Sequence, residues 1–131
     1  MQGYGKRVLI VEHEKDERNV LSLMLENEGY NVHVASDEDL ALEEMKRRRF
    51  DVVVSAHHMP KINGFRLALL GRLDRPDTPM ILLLGDDKSV SDAMDQGHAY
   101  GSIRKPYDSV ELLELMGNAI QLTREPRLQT S

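Results

Sequence analysis

Carboxylate, imidazole and ammonium side chains gather at four points of the chain, and each point directly follows an apolar run. Glu12, His13 and Glu14 follow R-V-L-I-V (7–11). Ala56, His57 and His58 follow D-V-V-V-S (51–55). Leu84, Gly85 and Asp86 close M-I-L-L-L (80–84), and Lys105 and Pro106 follow 100–104. Carboxylates of this kind can hold a hard cation through oxygen, and the ammonium can neutralise a phosphoryl group or a carboxylate. Glu12, His13 and His58 form the one conceivable mixed nitrogen and oxygen ligand set, of a type that suits zinc, nickel or copper. Adjacent residues such as Glu12 and His13 rarely point the same way, and a structural zinc site takes four ligands where three are on offer. The expectation is therefore no metal and no cofactor. A G-x-G-x-x-G or Walker loop is missing after the first apolar run, as is a serine nucleophile elbow. At the end of the third run stands Ala56, whose methyl group offers no chemistry.

The elements that must position these groups follow from the apolar pattern. Stretches 7–11, 31–35, 51–55, 80–84 and 100–104 are short and rich in Val, Ile and Leu, and read as strands. Between them lie helical patterns: 12–29, with Val20, Leu21, Met24 and Leu25 inward and Gly29 as the stop; a helix through Arg48 with Leu40, Ala41 and Met45, capped from Ser36 or Asp37 with Asp39 completing a capping box; 65–73, with Leu69, Leu70 and Leu73 as its apolar stripe; a polar helix over 87–96; and 108–122, with Val110, Leu113, Met116 and Ile120 inward. Strands alternating with helices imply an α/β fold, a doubly wound five-stranded parallel sheet in the order 2-1-3-4-5. Near-continuous apolar strands agree, because parallel strands are covered on both faces. In such a sheet the site lies beyond the carboxyl ends of the strands, where the four chemical points converge.

The chain of 131 residues fits one domain, read as 6–122, followed by a polar tail or start of a linker over 123–131. There is no cysteine, which excludes disulfides and thiolate metal sites. A net charge of −5 argues against nucleic-acid binding by this domain. The one basic run, Lys46 to Arg49, ends a predicted helix, where cations suit the macrodipole. No apolar run approaches the roughly 20 residues that span a bilayer, and the start M-Q-G-Y-G-K-R lacks the apolar core of a signal peptide. The expectation is a cytoplasmic location without membrane contact.

Taken in order, L-I-V-E-H-E, D-V-V-V-S-A-H-H-M-P-K-I-N-G-F, P-M-I-L-L-L-G and R-K-P-Y resemble the receiver domain of two-component response regulators, over about residues 6–122. The resemblance implies a flavodoxin-like (βα)5 fold and a place in phosphorelay signal transduction. It also implies a phosphoacceptor aspartate at the end of the third strand, where this chain has Ala56. The acidic pair that holds magnesium corresponds to Glu12 and His13, and the hydroxyl residue ending the fourth strand to Leu84. The switch aromatic falls on Ser102, with Gly101 as the other candidate, and the lysine is present as Lys105. A methyl group cannot accept a phosphoryl group, and imidazole is a poor magnesium ligand. With no phosphoryl group to meet, Lys105 is expected to pair with Glu12. The expectation is a pseudo-receiver: not an enzyme, but a phosphorylation-independent module that binds protein partners in a signalling pathway. Self-association is expected through the face formed by 87–96, the fifth strand and 108–122. Two alternatives stand beside it: a metal or small-ligand sensor using the altered pocket, and an ordinary phosphorylated receiver whose Ala56 was introduced by engineering.

Overall fold

A computed structural model of the chain describes residues 3–59, 62–85 and 99–124. In chain order the elements are β1 (Arg7–Val11), α1 (Lys15–Asn27), β2 (Asn31–Ala35), α2 (Glu38–Arg47), β3 (Val52–Ala56), the two-residue strands β4 (His58–Met59) and β5 (Ile62–Asn63), α3 (Gly64–Asp74), β6 (Met80–Leu84), β7 (Gly101–Arg104) and α4 (Ser109–Arg124). The main sheet is parallel in the order β2-β1-β3-β6-β7, which is the expected 2-1-3-4-5 arrangement. The antiparallel ribbon β4–β5 was not expected from the sequence. The expected helix over 87–96 lies outside the described residues.

The inner strands β1, β3 and β6 bury both faces because each face has its own helical layer, whereas the edge strands β2 and β7 are only partly covered. On one side Val8, Ile10, Val54 and Ile81 pack with Leu21 and Leu25 of α1 and Leu112 and Met116 of α4. On the other, Leu9, Val53 and Leu82 pack with Ala41 and Met45 of α2 and Leu67 of α3. The apolar stripes expected on the helices are partly wrong. Val20, Leu40, Leu73 and Val110 are 70%, 44%, 74% and 56% exposed, and Leu70 also faces outward. Ala41 is buried as expected, and small residues that were not expected inward, Ala68 and Gly71 on α3 and Ala119 on α4, are buried as well. A small residue lets helix and sheet approach, whereas a bulky apolar side chain one position away is left on the surface.

Local chemistry sets the helix ends. Asp37, rather than Ser36, caps α2, its Oδ1 accepting from the Leu40 amide at 2.8 Å. Asn63 caps α3 by accepting from the Arg66 amide at 3.0 Å. Gly29 stops α1 at φ 91, and the Tyr30 amide then reaches back to the Leu25 carbonyl at 3.1 Å. The basic run ends α2 as expected: Arg47 and Arg48 lie 3.7 and 3.4 Å from Glu44. Arg75 donates to the Met45 carbonyl at 3.0 Å. Among the described residues, no helix is long and apolar enough to cross a membrane.

Candidate functional site

The carboxyl ends of β1, β3, β6 and β7 meet above the sheet. Glu12 leaves β1 with its amide donating to the Ala35 carbonyl at 3.1 Å, and its side chain is 2% exposed. Glu12 Oε2 accepts from the Glu14 amide at 3.0 Å, taking up a donor at the start of α1. Arg18 folds back from α1 to donate to the carbonyls of Glu12 and His13 at 3.0 and 3.3 Å. These bonds fix the first turn of α1 directly over the end of β1.

Lys105 arrives from the far side of the sheet. Its amide donates to the Leu84 carbonyl at 2.8 Å, which extends the β6–β7 ladder by one bond. Its ammonium stands 3.9 Å from Glu12 Oε1, so the expected Glu12–Lys105 pair forms. A nearer partner was not expected: Glu17 Oε2 lies 3.3 Å from Nζ. The cue for Glu17 was weak, because acidic residues in a first turn ordinarily serve the helix dipole. Burial pushes the Glu12 carboxyl above the usual carboxylate range; the Glu14 amide and Lys105 pull it down, and Glu17 adds to the rise. Tyr107, also missed, stands beside this cluster. Burial raises its phenol, and the carboxylates of Glu17 and Glu12 raise it further. Glu12, Glu17, Val20, Leu83, Lys105 and Tyr107 all line a groove of about 680 Å³ between α1 and the turn into α4.

Ala56 and Leu84 lie elsewhere. Both belong to the apolar layer beneath α2 and α3, where they are 2% and 3% exposed, together with Ile62 and Leu67. In the sheet Ala56 pairs with Leu83. The Ser55 hydroxyl donates to the Ala56 carbonyl at 2.7 Å. Gly64 presses on the same segment: a Cβ there would stand 2.7 Å from His57 Cα and 3.0 Å from the Ala56 carbonyl. Glu38, buried at the start of α2, holds this region from the side. It accepts from the Asn63 amide at 3.1 Å and pairs with the Arg66 guanidinium. Gly64 belongs to the N-G-F end of the stretch on which the family resemblance rests, whereas Glu38 was not singled out in the sequence.

The remaining candidates are dispersed. His13 is half-buried beside Glu12, and His58 pairs through its backbone with Asn63 in the ribbon. Among the described residues, no group of three or more His, Cys, Asp or Glu is placed to hold a metal. Ser102 is half-buried opposite Leu82 in the ladder. Tyr100 is partly buried and packs against the α4 layer, and a side chain at Gly101 would meet Leu115 at 3.3 Å. The expected single pocket is thus divided. Glu12 and Lys105 share an open, charged groove, whereas Ala56 and Leu84 are part of the core.

Residues 8–116 match the response regulator receiver domain family. The chain belongs to that family. It is 30% identical to a probable transcriptional regulator, ycf29, of Pyropia yezoensis, over 95% of this chain and 59% of that protein. It is 28% identical to the DNA-binding transcriptional regulator NtrC of Rhizobium meliloti, over 97% of this chain and 26% of that protein. Among solved structures it is similar to the signal receiver domain of an HD domain-containing protein from Pseudomonas fluorescens, with a TM-score of 0.83 and 30% identity over 92% of this chain and 90% of that one. The chemotaxis protein CheY4 of Vibrio cholerae gives a TM-score of 0.80 and 27% identity over 88% of this chain and 98% of that one. These likenesses support the flavodoxin-like receiver fold and a role in two-component signalling. The receiver spans only part of the length of the curated relatives it matches, 59% and 26% for the two above.

Proposed function

We propose that this receiver domain is a phosphorylation-independent interaction module of a two-component pathway, a receiver kept for its surfaces. The observation that carries this reading is Ala56. At the β3 terminus, where the family resemblance calls for a nucleophilic carboxylate, there is a methyl group 2% exposed in an apolar layer. The Ala56 methyl has no lone pair with which to attack phosphorus and cannot carry an acyl phosphate. Three further features support it. His13 stands where a magnesium-binding acid is expected, Leu84 where a hydroxyl is expected, and Lys105 is engaged by carboxylates of its own chain. Three independent departures also argue for natural loss over an engineered Ala56, since a single substitution would have sufficed to disable the site. A phosphoryl group shifts a receiver only by binding its two states differently, so partner binding here is constitutive. Partners are proteins of the pathway, and the β7–α4 side of the self-association face expected from the sequence offers Val110 and Leu122, both more than half exposed.

The test is incubation with magnesium and acetyl phosphate, read by intact mass. The native chain and Ala56→Asp both remain unlabelled. Labelling of the native chain sinks the reading, and labelling of Ala56→Asp alone confines the loss to one side chain. A second reading, a small-ligand sensor, is favoured by the groove of about 680 Å³, which is within the ordinary range for ligand sites. Saturable shifts of the Val20 and Tyr107 resonances with a small ligand would support it.

A further inference from the structure

The ammonium of Lys105 has two carboxylates within reach, and they differ in kind. Glu17, at 3.3 Å, is on the rim of the groove with a side chain 54% exposed. Glu12, at 3.9 Å, is on the floor and 2% exposed. Lys105 itself is one-third exposed, and it sits at the junction of β7 and the turn that carries Pro106 and Tyr107 into α4. The Lys105–Glu17 contact joins residues 88 apart in sequence. It links the first turn of α1 to that turn across the mouth of the groove.

We propose that the Lys105–Glu17 pair is a latch that fastens the β7–α4 turn to α1, with Glu12 as a second, inner seat for the same ammonium. Resting on the reading that no phosphoryl group claims Lys105, the latch gives the lysine a permanent internal counter-ion. The outer contact is the one that opens. A partly exposed ion pair is weak and screened by salt, so a basic side chain of a docking partner that takes Glu17 can displace the lysine. A lysine with no counter-charge would be costly to hold against this partly buried wall, and Glu12 removes that cost. Burial raises the Glu12 carboxyl, and Lys105 at 3.9 Å offsets only part of that rise. The other charged and titratable groups described around the cluster are consistent with this division. On α1, Arg18 is committed to backbone carbonyls and Asp16 lies on the outer rim. Tyr107 faces the carboxylates from the turn. The lysine therefore moves between two seats, and the turn moves with it.

The test uses the full chain and amide hydrogen exchange. Glu17→Gln is expected to speed exchange several-fold at 105–109 and at 15–20 together, and to lower the labelling of Lys105 by an amine-selective acetylating reagent relative to Lys6 and Lys46, because the ammonium then rests on the buried Glu12. Lys105→Gln is expected to speed the same amides, and the double variant to add nothing further, because both changes break one contact. Unchanged exchange and labelling in Glu17→Gln, or additive effects in the double variant, would overturn the latch. Both substitutions are at partly exposed side chains, and thermal midpoints report that the fold is kept. Phosphodonor labelling reads a different property, so failure of the latch and failure of the phosphorylation-independent reading are told apart.

Discussion

A carboxyl group buried at the end of β1 leaves its mark on stability against pH. Glu12 is raised above its ordinary value of 4.5, chiefly by burial. Below 4.5 both the folded and the unfolded chain hold the proton, and its contribution to stability is complete. As pH climbs from there the unfolded chain ionises first, so stability declines until the folded carboxyl also ionises. The thermal midpoint of the native chain should therefore fall, relative to Glu12→Gln, as pH rises from about 4.5. Parallel profiles for the two proteins would show that Glu12 is not strained by its site. Glu38 has the opposite character, a buried carboxylate whose partners are close at hand. Replacing it with Ala leaves the Asn63 amide and the Arg66 guanidinium without their acceptor, and should cost roughly 1–3 kcal/mol in urea unfolding. Ala56, Glu12, Leu84 and Lys105 were legible in the sequence because each directly follows an apolar run. Glu17, Tyr107 and Glu38 were not, because their roles depend on residues up to 88 positions away, and nothing local marks an acidic first turn or an N-terminal helix residue as more than ordinary.

At the scale of elements, two glycines separate a rigid contact from a compliant one. A Cβ at Gly64 would meet backbone, at 2.7 Å from His57 Cα. Gly64→Ala must displace the segment after β3, and should cost about 1–3 kcal/mol. A Cβ at Gly71 would meet the ends of Met45, at 3.0 Å, and Met80, at 3.4 Å. Those flexible side chains can yield, and alanine is favoured over glycine inside a helix by up to about 1 kcal/mol. Gly71→Ala should therefore be close to neutral in the same urea assay, and a large loss there would mean that α2 and α3 cannot separate even slightly. The strands were read almost residue for residue: 7–11, 31–35 and 80–84 match, and β3 is displaced by one. An unbroken Val, Ile and Leu run has one interpretation when both faces are covered. Helix faces were harder. Val20, Leu73 and Val110 fit an inward stripe by spacing but face outward, whereas Ala68 and Ala119, whose small side chains carry little weight in a hydrophobic pattern, are buried. The β4–β5 ribbon is two residues per strand, too short for alternation to register.

For the whole molecule, the sheet order and the two helical layers divide one expected pocket into two environments. Ala56 and Leu84 face the α2–α3 layer as core, and Glu12 and Lys105 face the groove beside α1, their charged atoms 3.9 Å apart. On the proposed reading, such a receiver offers surfaces to a partner and no reacting centre at the strand ends. The central claim is that no phosphoryl group, or mimic of one, is accommodated there. Magnesium with beryllofluoride, a mimic of the phosphoryl group, is the direct probe. Amide resonances of Glu12, Ala56, Leu84 and Lys105 should stay in place in a nitrogen–proton correlation spectrum as the two are added together. Saturable, magnesium-dependent shifts at those four residues would contradict the account.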